Sequence, residues 1–317
     1  MKVFLAGASG AIGQPLIAEL IRKGHTVTGM THSKVGEERL RGYGAEVAFV
    51  DAFDKGALEA ALRASDVEAV IDELTSIPKT PSALPAHASA DRKLRIEGGG
   101  NLHRVALASG VRRYIQQSSG FFLEAKGALA DESSPLAVNA SPLIAGYAQM
   151  YTDLEQRVLE SSIEGVALRY GFFYGPNTWY HVHGGAADEI RRQQFPLIEG
   201  GQAKWSFVHI EDAARATVAA LTADPGKYVV VDDDPSPVSV WLPSFASFVG
   251  APTPPITTAE QARQTAGEDA VYYQTRLSGG SNAKAKRELD FTPRRLEWLS
   301  QSVVRIGETV VSGIGRS

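Results

Sequence analysis

Val3-Phe-Leu-Ala-Gly7-Ala-Ser-Gly10-Ala-Ile-Gly13 decides the fold of this 317-residue chain. Val3 to Ala6 is a short apolar run that reads as a buried strand. Gly7, Gly10 and Gly13 follow, spaced three apart. Ile12, Leu16, Ile17, Leu20 and Ile21 then form one stripe of an amphipathic helix. Strand, glycine turn and helix in that order aim backbone N–H groups and a helix N-terminus at one place, which suits a phosphate. The glycines supply a tight turn, room for a pyrophosphate against the backbone, and close packing of helix on strand. The first gap is one residue longer than in the G-x-G-x-x-G pattern. Its placement between strand and helix still predicts a dinucleotide site.

Outward from this turn, apolar strands alternate with helices. Residues 26–30, 46–50, 68–71, 113–117, 165–170 and 227–231 read as strands. Helices are expected around Glu37 to Arg39, over 57–62, 91–109, 147–160 and 211–221, and loops over 76–87 and around Pro135 to Pro142. The fold class predicted is α/β: a doubly wound parallel Rossmann sheet with a smaller, mainly helical C-terminal substrate lobe. Residues 175–204 break the rhythm, with one helical patch near 188–193. From Pro235 onward two or three helices are expected between Pro- and Gly-rich connections. The predicted division is a nucleotide-binding domain of 1–174 plus 205–234 and a substrate-binding lobe of 175–204 plus 235–317. Such a lobe, placed over the carboxyl ends of the strands, forms the substrate cleft.

Composition narrows the function. The chain has no cysteine, so disulfides, thiolate metal sites and a cysteine nucleophile are excluded. A net charge of −4 without a basic block argues against nucleic acid as a partner. No apolar run approaches a membrane span, and the chain starts directly with strand residues. The location expected is cytoplasmic, with no membrane association. His181, His183 and Asp188 lie close in sequence, but two histidines two apart are a common accident, and no metal is expected.

Further stretches, taken together, resemble the extended short-chain dehydrogenase/reductase superfamily, in its NAD-dependent epimerase/dehydratase branch. They are the Gly7–Gly13 turn, Asp51, Glu97-Gly-Gly-Gly-Asn-Leu102, Gly110-Val-Arg-Arg-Tyr114, Ser118-Ser119, Leu168-Arg-Tyr170 through Tyr174-Gly-Pro176, and Ser206 to Ala213. The resemblance spans nearly the whole chain. It implies a Rossmann fold, a nicotinamide cofactor and a Ser-Tyr-Lys catalytic set. By position, it assigns cofactor contacts to Gly7, Ser9, Gly10, Ala11, Ile12, Gly13, Asp51, Ala52, Leu74, Thr75, Ser118, Tyr170, Phe172 and Phe173.

Cofactor choice is read after the second strand. The family places an acid there to bind the adenosine ribose of NAD. This chain has Met30-Thr-His32-Ser33-Lys34, with no acid until Glu37. His32, Ser33 and Lys34 suit the extra phosphate, so NADP is expected, with NAD possible. Asp51 matches the family residue that accepts from the adenine amino group.

In the catalytic set, Ser119 matches the serine that positions the substrate oxygen, and Tyr147 the tyrosine that exchanges its proton. The lysine four residues on is replaced by Tyr151. A tyrosine offers a hydrogen bond but no positive charge, so Tyr147 is expected to work as a neutral phenol. That favours donating a proton in a reduction over removing one in an oxidation. Tyr147, Tyr151, Leu154 and Val158 also fit a plain buried stripe. Lys126 is a second source for the missing charge. The function expected is NADPH-dependent reduction of a small carbonyl or sugar-like substrate. The alternatives are a sugar-nucleotide epimerase or dehydratase with bound NAD, and a non-catalytic NADP-binding regulator. The family often forms homodimers through long helices such as 91–109 and 147–160.

Overall fold

The computed structural model describes residues 1–125 and 127–299. Its centre is a seven-stranded sheet of β1 (Lys2–Ala6), β2 (Thr26–Thr31), β3 (Glu46–Phe49), β4 (Ala69–Asp72), β5 (Arg113–Ser119), β6 (Glu164–Tyr170) and β7 (Gly226–Val230). The spatial order is β7-β6-β5-β4-β1-β2-β3, and every pairing is parallel. Alternate residues serve opposite faces. Val3, Leu5 and Ile71 pack on one side with Leu16, Ile17 and Leu20 of α1 (Gly13–Arg22). Phe4, Ala6 and Val70 pack on the other, with Leu58 and Leu62 of α3 (Lys55–Ser65) and Leu102 and Val105 of α5 (Gly99–Ala108). Between them, α2 (Lys34–Gly42) follows β2 and α4 (Leu84–Lys93) precedes α5. Both faces being covered explains why β1, β4 and β7 are largely apolar. Strand order reverses between β1 and β4, which opens a crevice at their carboxyl ends.

Two helices begin more than a turn before the sequence predicts. Residues 84–87, read as loop, already belong to α4, and α6 (Pro142–Leu159) begins at Pro142 rather than 147. In both, a proline occupies the first turn, where its missing N–H has no helical partner to lose. Tyr147 therefore lies in the second turn. The helix read as 91–109 is interrupted: a π turn, Leu94–Gly98, joins α4 to α5.

Beyond β6, α7 (Gly185–Arg191) replaces the patch expected at 188–193, and α8 (Ile210–Ala219) packs on α1's side of the sheet. Among the described residues, four helices follow Pro235: α9 (Val238–Phe248), α10 (Ala259–Ala266), α11 (Glu268–Thr275) and α12 (Ala283–Glu288). A second core gathers Tyr180, Ile190, Trp205, Phe207, Trp241 and Phe245. Ala285, Leu289 and Phe291 pack instead against the α1–α8 side of the sheet.

Candidate active site

The glycine turn has the geometry that a dinucleotide requires. Gly7 adopts φ +75°, and a Cβ there would collide with the backbone carbonyl of Glu73 at the end of β4. A Cβ on Gly13 would collide with the carbonyl of Ala8. Gly10 donates to the Gly7 carbonyl at 2.9 Å, and Gly13 to the Gly10 carbonyl at 3.1 Å, which winds the turn tightly. Ser9, Gly10 and Ala11 are not buried, while Ile12 is. The first turn of α1 holds no acid, and Ile12 at its N-cap offers no side-chain acceptor. Gly13 N is engaged and Pro15 has no N–H, so the N–H groups of Ile12 and Gln14, which make no backbone hydrogen bond among the described residues, remain for an anion. The cradle fits a pyrophosphate.

At the adenosine end, Ser33 is the N-cap of α2 and accepts from Gly36 N at 3.0 Å. Its own hydroxyl proton stays available. His32 is exposed, and Lys34 Nζ pairs with Glu37 at 3.0 Å over the Phe49 ring. Part of the Lys34 charge is thus already offset. Asp51 is exposed and uses Oδ1 to accept from Phe53 N at 2.9 Å. Asn101 holds the next residue, donating Nδ2 to the Ala52 carbonyl at 3.1 Å. A Cβ on Gly98 would come 2.9 Å from Ala52 Cβ, which gives the Glu97–Leu102 stretch its structural purpose.

At the other end, Ser119 closes β5, and its Oγ accepts from Phe121 N and Phe122 N at 3.4 Å each. Tyr147 is buried, and its hydroxyl lies beside the Asp91 carboxylate without a well-formed hydrogen bond. Its ring begins an aromatic wall. Tyr151 stacks on it at 6.4 Å and Phe122 at 6.4 Å, and Phe122 meets Phe121 at 4.5 Å. Phe121 stacks on Phe172 at 4.1 Å, and Phe172 on Trp205 at 4.2 Å. Burial, then Asp91 and Tyr151, push the Tyr147 phenol well above its ordinary value, with Arg95 opposing. Tyr147 is a neutral phenol at neutral pH.

Other candidates have structural partners. Ser118 faces away from Ser119 and donates to Glu155 at 2.6 Å, within a buried pair with Arg169. The Tyr170 hydroxyl donates to Glu73 Oε1 at 3.1 Å and shares a 2.6 Å bond with Thr217. Phe173 packs beside Tyr170 at 5.2 Å. Leu74 N donates to Asp72, and Thr75 follows at the crevice end of β4. His209 caps α8 by accepting from Glu211 N. Asp212 accepts from the backbone N–H and Nε of Arg294. Asp188 pairs with Arg191, and no cluster of three metal-ligating side chains occurs among the described residues. Lys126 lies outside the described residues.

Sequence reading missed three charged groups beside the tyrosines. Asp91 is fully buried, Arg95 is 6% exposed, and Glu73 is 3% exposed. Arg95 Nε donates to Asp91 Oδ2 at 2.9 Å and Nη1 to Gln117 Oε1 at 2.7 Å. Its Cζ stands 5.4 Å from the Tyr151 ring centre. Asp91 and Arg95 lie four apart, at helical pairing distance. That spacing was visible, but nothing local placed it against a helix more than fifty residues away.

The family model for the NAD dependent epimerase/dehydratase family matches residues 3–231. The chain belongs to that family. It is an NAD(P)-dependent enzyme of oxidoreductase type. A Streptomyces protein named 3-diazoavenalumate denitrifying reductase is 35% identical over 303 residues, covering 94% of this chain and 98% of that one. A ketoreductase of Stigmatella aurantiaca acting on a 4-farnesyl-dihydroquinoline-1-oxide is 24% identical, covering 78% of this chain and 72% of its own. In fold, the chain is similar to UDP-glucose 4-epimerase of Thermus thermophilus, solved with NAD. There the TM-score is 0.72 at 22% identity, with 94% of this chain and 96% of the other covered. No helix among the described residues is long and apolar enough to cross a membrane.

Proposed function

We propose that this chain is an NADPH-preferring reductase of a small, mainly apolar carbonyl compound, with Tyr147 as proton donor. One observation carries the reading: a buried phenol beside Asp91 that lacks a well-formed hydrogen bond, set in an aromatic wall beside the strand ends. A buried donor left unpaired is costly, and a substrate oxygen would satisfy it. The Gly7–Gly13 turn would hold the pyrophosphate, Asp51 the adenine, and His32, Ser33 and Lys34 the ribose phosphate. When bound, the cofactor supplies the hydride. Ser119 would direct its hydroxyl proton at the carbonyl oxygen, since its lone pairs already serve two backbone N–H groups. Tyr147 then gives the proton that the oxygen needs as the carbonyl carbon gains hydride. The wall of Phe121, Phe122, Phe172 and Trp205 suits a flat or apolar frame better than a sugar nucleotide. The relatives named as reductases support this over epimerisation. We place the enzyme in the cytoplasm as a homodimer through α5 and α6, where Leu107 is 41% exposed.

A second reading follows the 35% identical relative: hydride replaces the nitrogen of a diazonium group, and dinitrogen leaves. That step needs no proton, which suits a phenol that holds its own more tightly than usual. Both are tested by offering NADPH with a β-keto ester, an aryl methyl ketone and a carboxylated arenediazonium salt. Carbonyl-dependent loss of dihydronicotinamide absorbance supports the first reading. Dinitrogen release alone supports the second. Cofactor binding without any turnover supports a regulator.

A further inference from the structure

When Tyr147 gives up its proton, a phenolate forms in a buried setting, and a negative charge there needs a counter-charge. The residue one turn along α6 is Tyr151, which has none. The charged and titratable groups facing this pair come from several elements: Glu73 after β4, Asp91 from α4, Arg95 from the π turn and Tyr273 from α11. Of these, Arg95 alone is cationic. Burial works against its charge, but Tyr151, Asp91 and Tyr147 together hold it protonated. Guanidinium also keeps its charge in surroundings that would neutralise a lysine, and its flat face stacks on rings. Arg95 does both here: it lies over Tyr151, with Nε on Asp91 and Nη1 on Gln117. Asp91 Oδ1 is in turn held by Ser76 N. Arg95 Nη2 makes no hydrogen bond among the described residues.

We infer that Arg95 is the positioning residue of the proton donor: fixed by Asp91 and Gln117, its guanidinium balances the charge that forms on Tyr147 as the proton leaves. The inference rests on the reading of Tyr147 as donor. It accounts for Tyr151 standing where a lysine would otherwise supply charge, because the cation reaches the pair from a different helix. It also gives the π turn a purpose, since such turns tend to mark functional positions.

The test is a titration that needs no substrate. Placing 2,3,5-trifluorotyrosine at position 147 gives a ring that ionises at accessible pH, followed by fluorine NMR. Arg95→Gln should raise the midpoint by about one pH unit or more, a tenfold change in ionisation. Arg95→Lys, whose ammonium is more easily neutralised when buried, should raise the midpoint by less than Arg95→Gln does. Asp91→Asn, which removes the opposing charge, should lower the midpoint. A folded Arg95→Gln with an unmoved midpoint overturns the inference. If Arg95→Gln does not fold, Arg95→Lys and Asp91→Asn decide: an Asp91→Asn midpoint that fails to fall overturns it. The donor reading is tested apart from this, by Tyr147→Phe on the β-keto ester. Full turnover there overturns that reading and this inference with it, whereas an unmoved fluorine midpoint overturns the inference alone.

Discussion

Replacing Glu73 with glutamine should stabilise the protein at pH 7 and leave it nearly unchanged at pH 4.5. Its carboxyl is buried at the end of β4; Oε1 accepts from Tyr170, and Oε2 has no partner among the described residues. Burial is the main cause that raises its pKa from 4.5 to about 8. The Asp72 charge adds to the rise, and the Tyr170 hydrogen bond and Arg95 oppose it. An acid whose folded pKa is raised contributes its stability below the unfolded value, and that contribution is lost as pH climbs toward the folded value. Ionisation in the unfolded chain therefore costs the fold roughly 1.4 kcal/mol per pH unit across this window. From pH 4.5 to 7 that amounts to about 3 kcal/mol, and above pH 8 it levels near 5 kcal/mol. Glutamine keeps the shape of the protonated acid and cannot ionise. At about 2 °C per kcal/mol for a chain of this size, Glu73→Gln should gain on the order of 6 °C in Tm at pH 7. Calorimetry of both proteins between pH 4.5 and 8.5 reads this directly. A gap that stays constant with pH, or a wild type more stable at pH 8, refutes the reasoning.

NADPH should bind more tightly than NADH, and Lys34→Glu should shrink the difference by placing negative charge beside the ribose phosphate; fluorescence titration of both cofactors checks this, and a clear NADH preference contradicts it. Gly10→Val should abolish cofactor binding in a folded protein. Gly10 is exposed, a Cβ there lies 3.1 Å from the Gly7 carbonyl, and the valine methyls would fill the space over the N-terminus of α1; unchanged affinity puts the site elsewhere. Tyr147→Phe should keep cofactor affinity and lose roughly 10²- to 10⁴-fold in carbonyl reduction. With the Tyr147 phenol held above its ordinary value, the wild-type rate should not decline through ionisation of this group below about pH 10.

The nucleotide half of the site was legible because its logic is local. The strand, the glycines and the helix stripe lie within some twenty consecutive residues, and backbone sterics alone demand Gly7 and Gly13. Strand positions were readable for a similar reason: covered on both faces, β1, β4 and β7 stand out as apolar runs. Helix starts were less so. Pro85 and Pro142 read as loop residues, yet each sits in a first turn that tolerates proline. The substitution of Tyr151 for a lysine was visible, but the source of charge was not. Arg95 and Asp91 lie four apart, a spacing common on any helix, and only tertiary packing buries them against α6. Glu73 was unreadable for the same reason, since nothing in its neighbours marks it as buried beneath Tyr170.

A co-crystal structure with NADPH or NADP tests the central claim most directly. The account predicts the pyrophosphate on the Gly7–Gly13 turn and the Tyr147 hydroxyl facing the space over the nicotinamide C4, with Ser119 beside it. A pyrophosphate bound elsewhere, or a nicotinamide that C4 turns toward some other group, would contradict it.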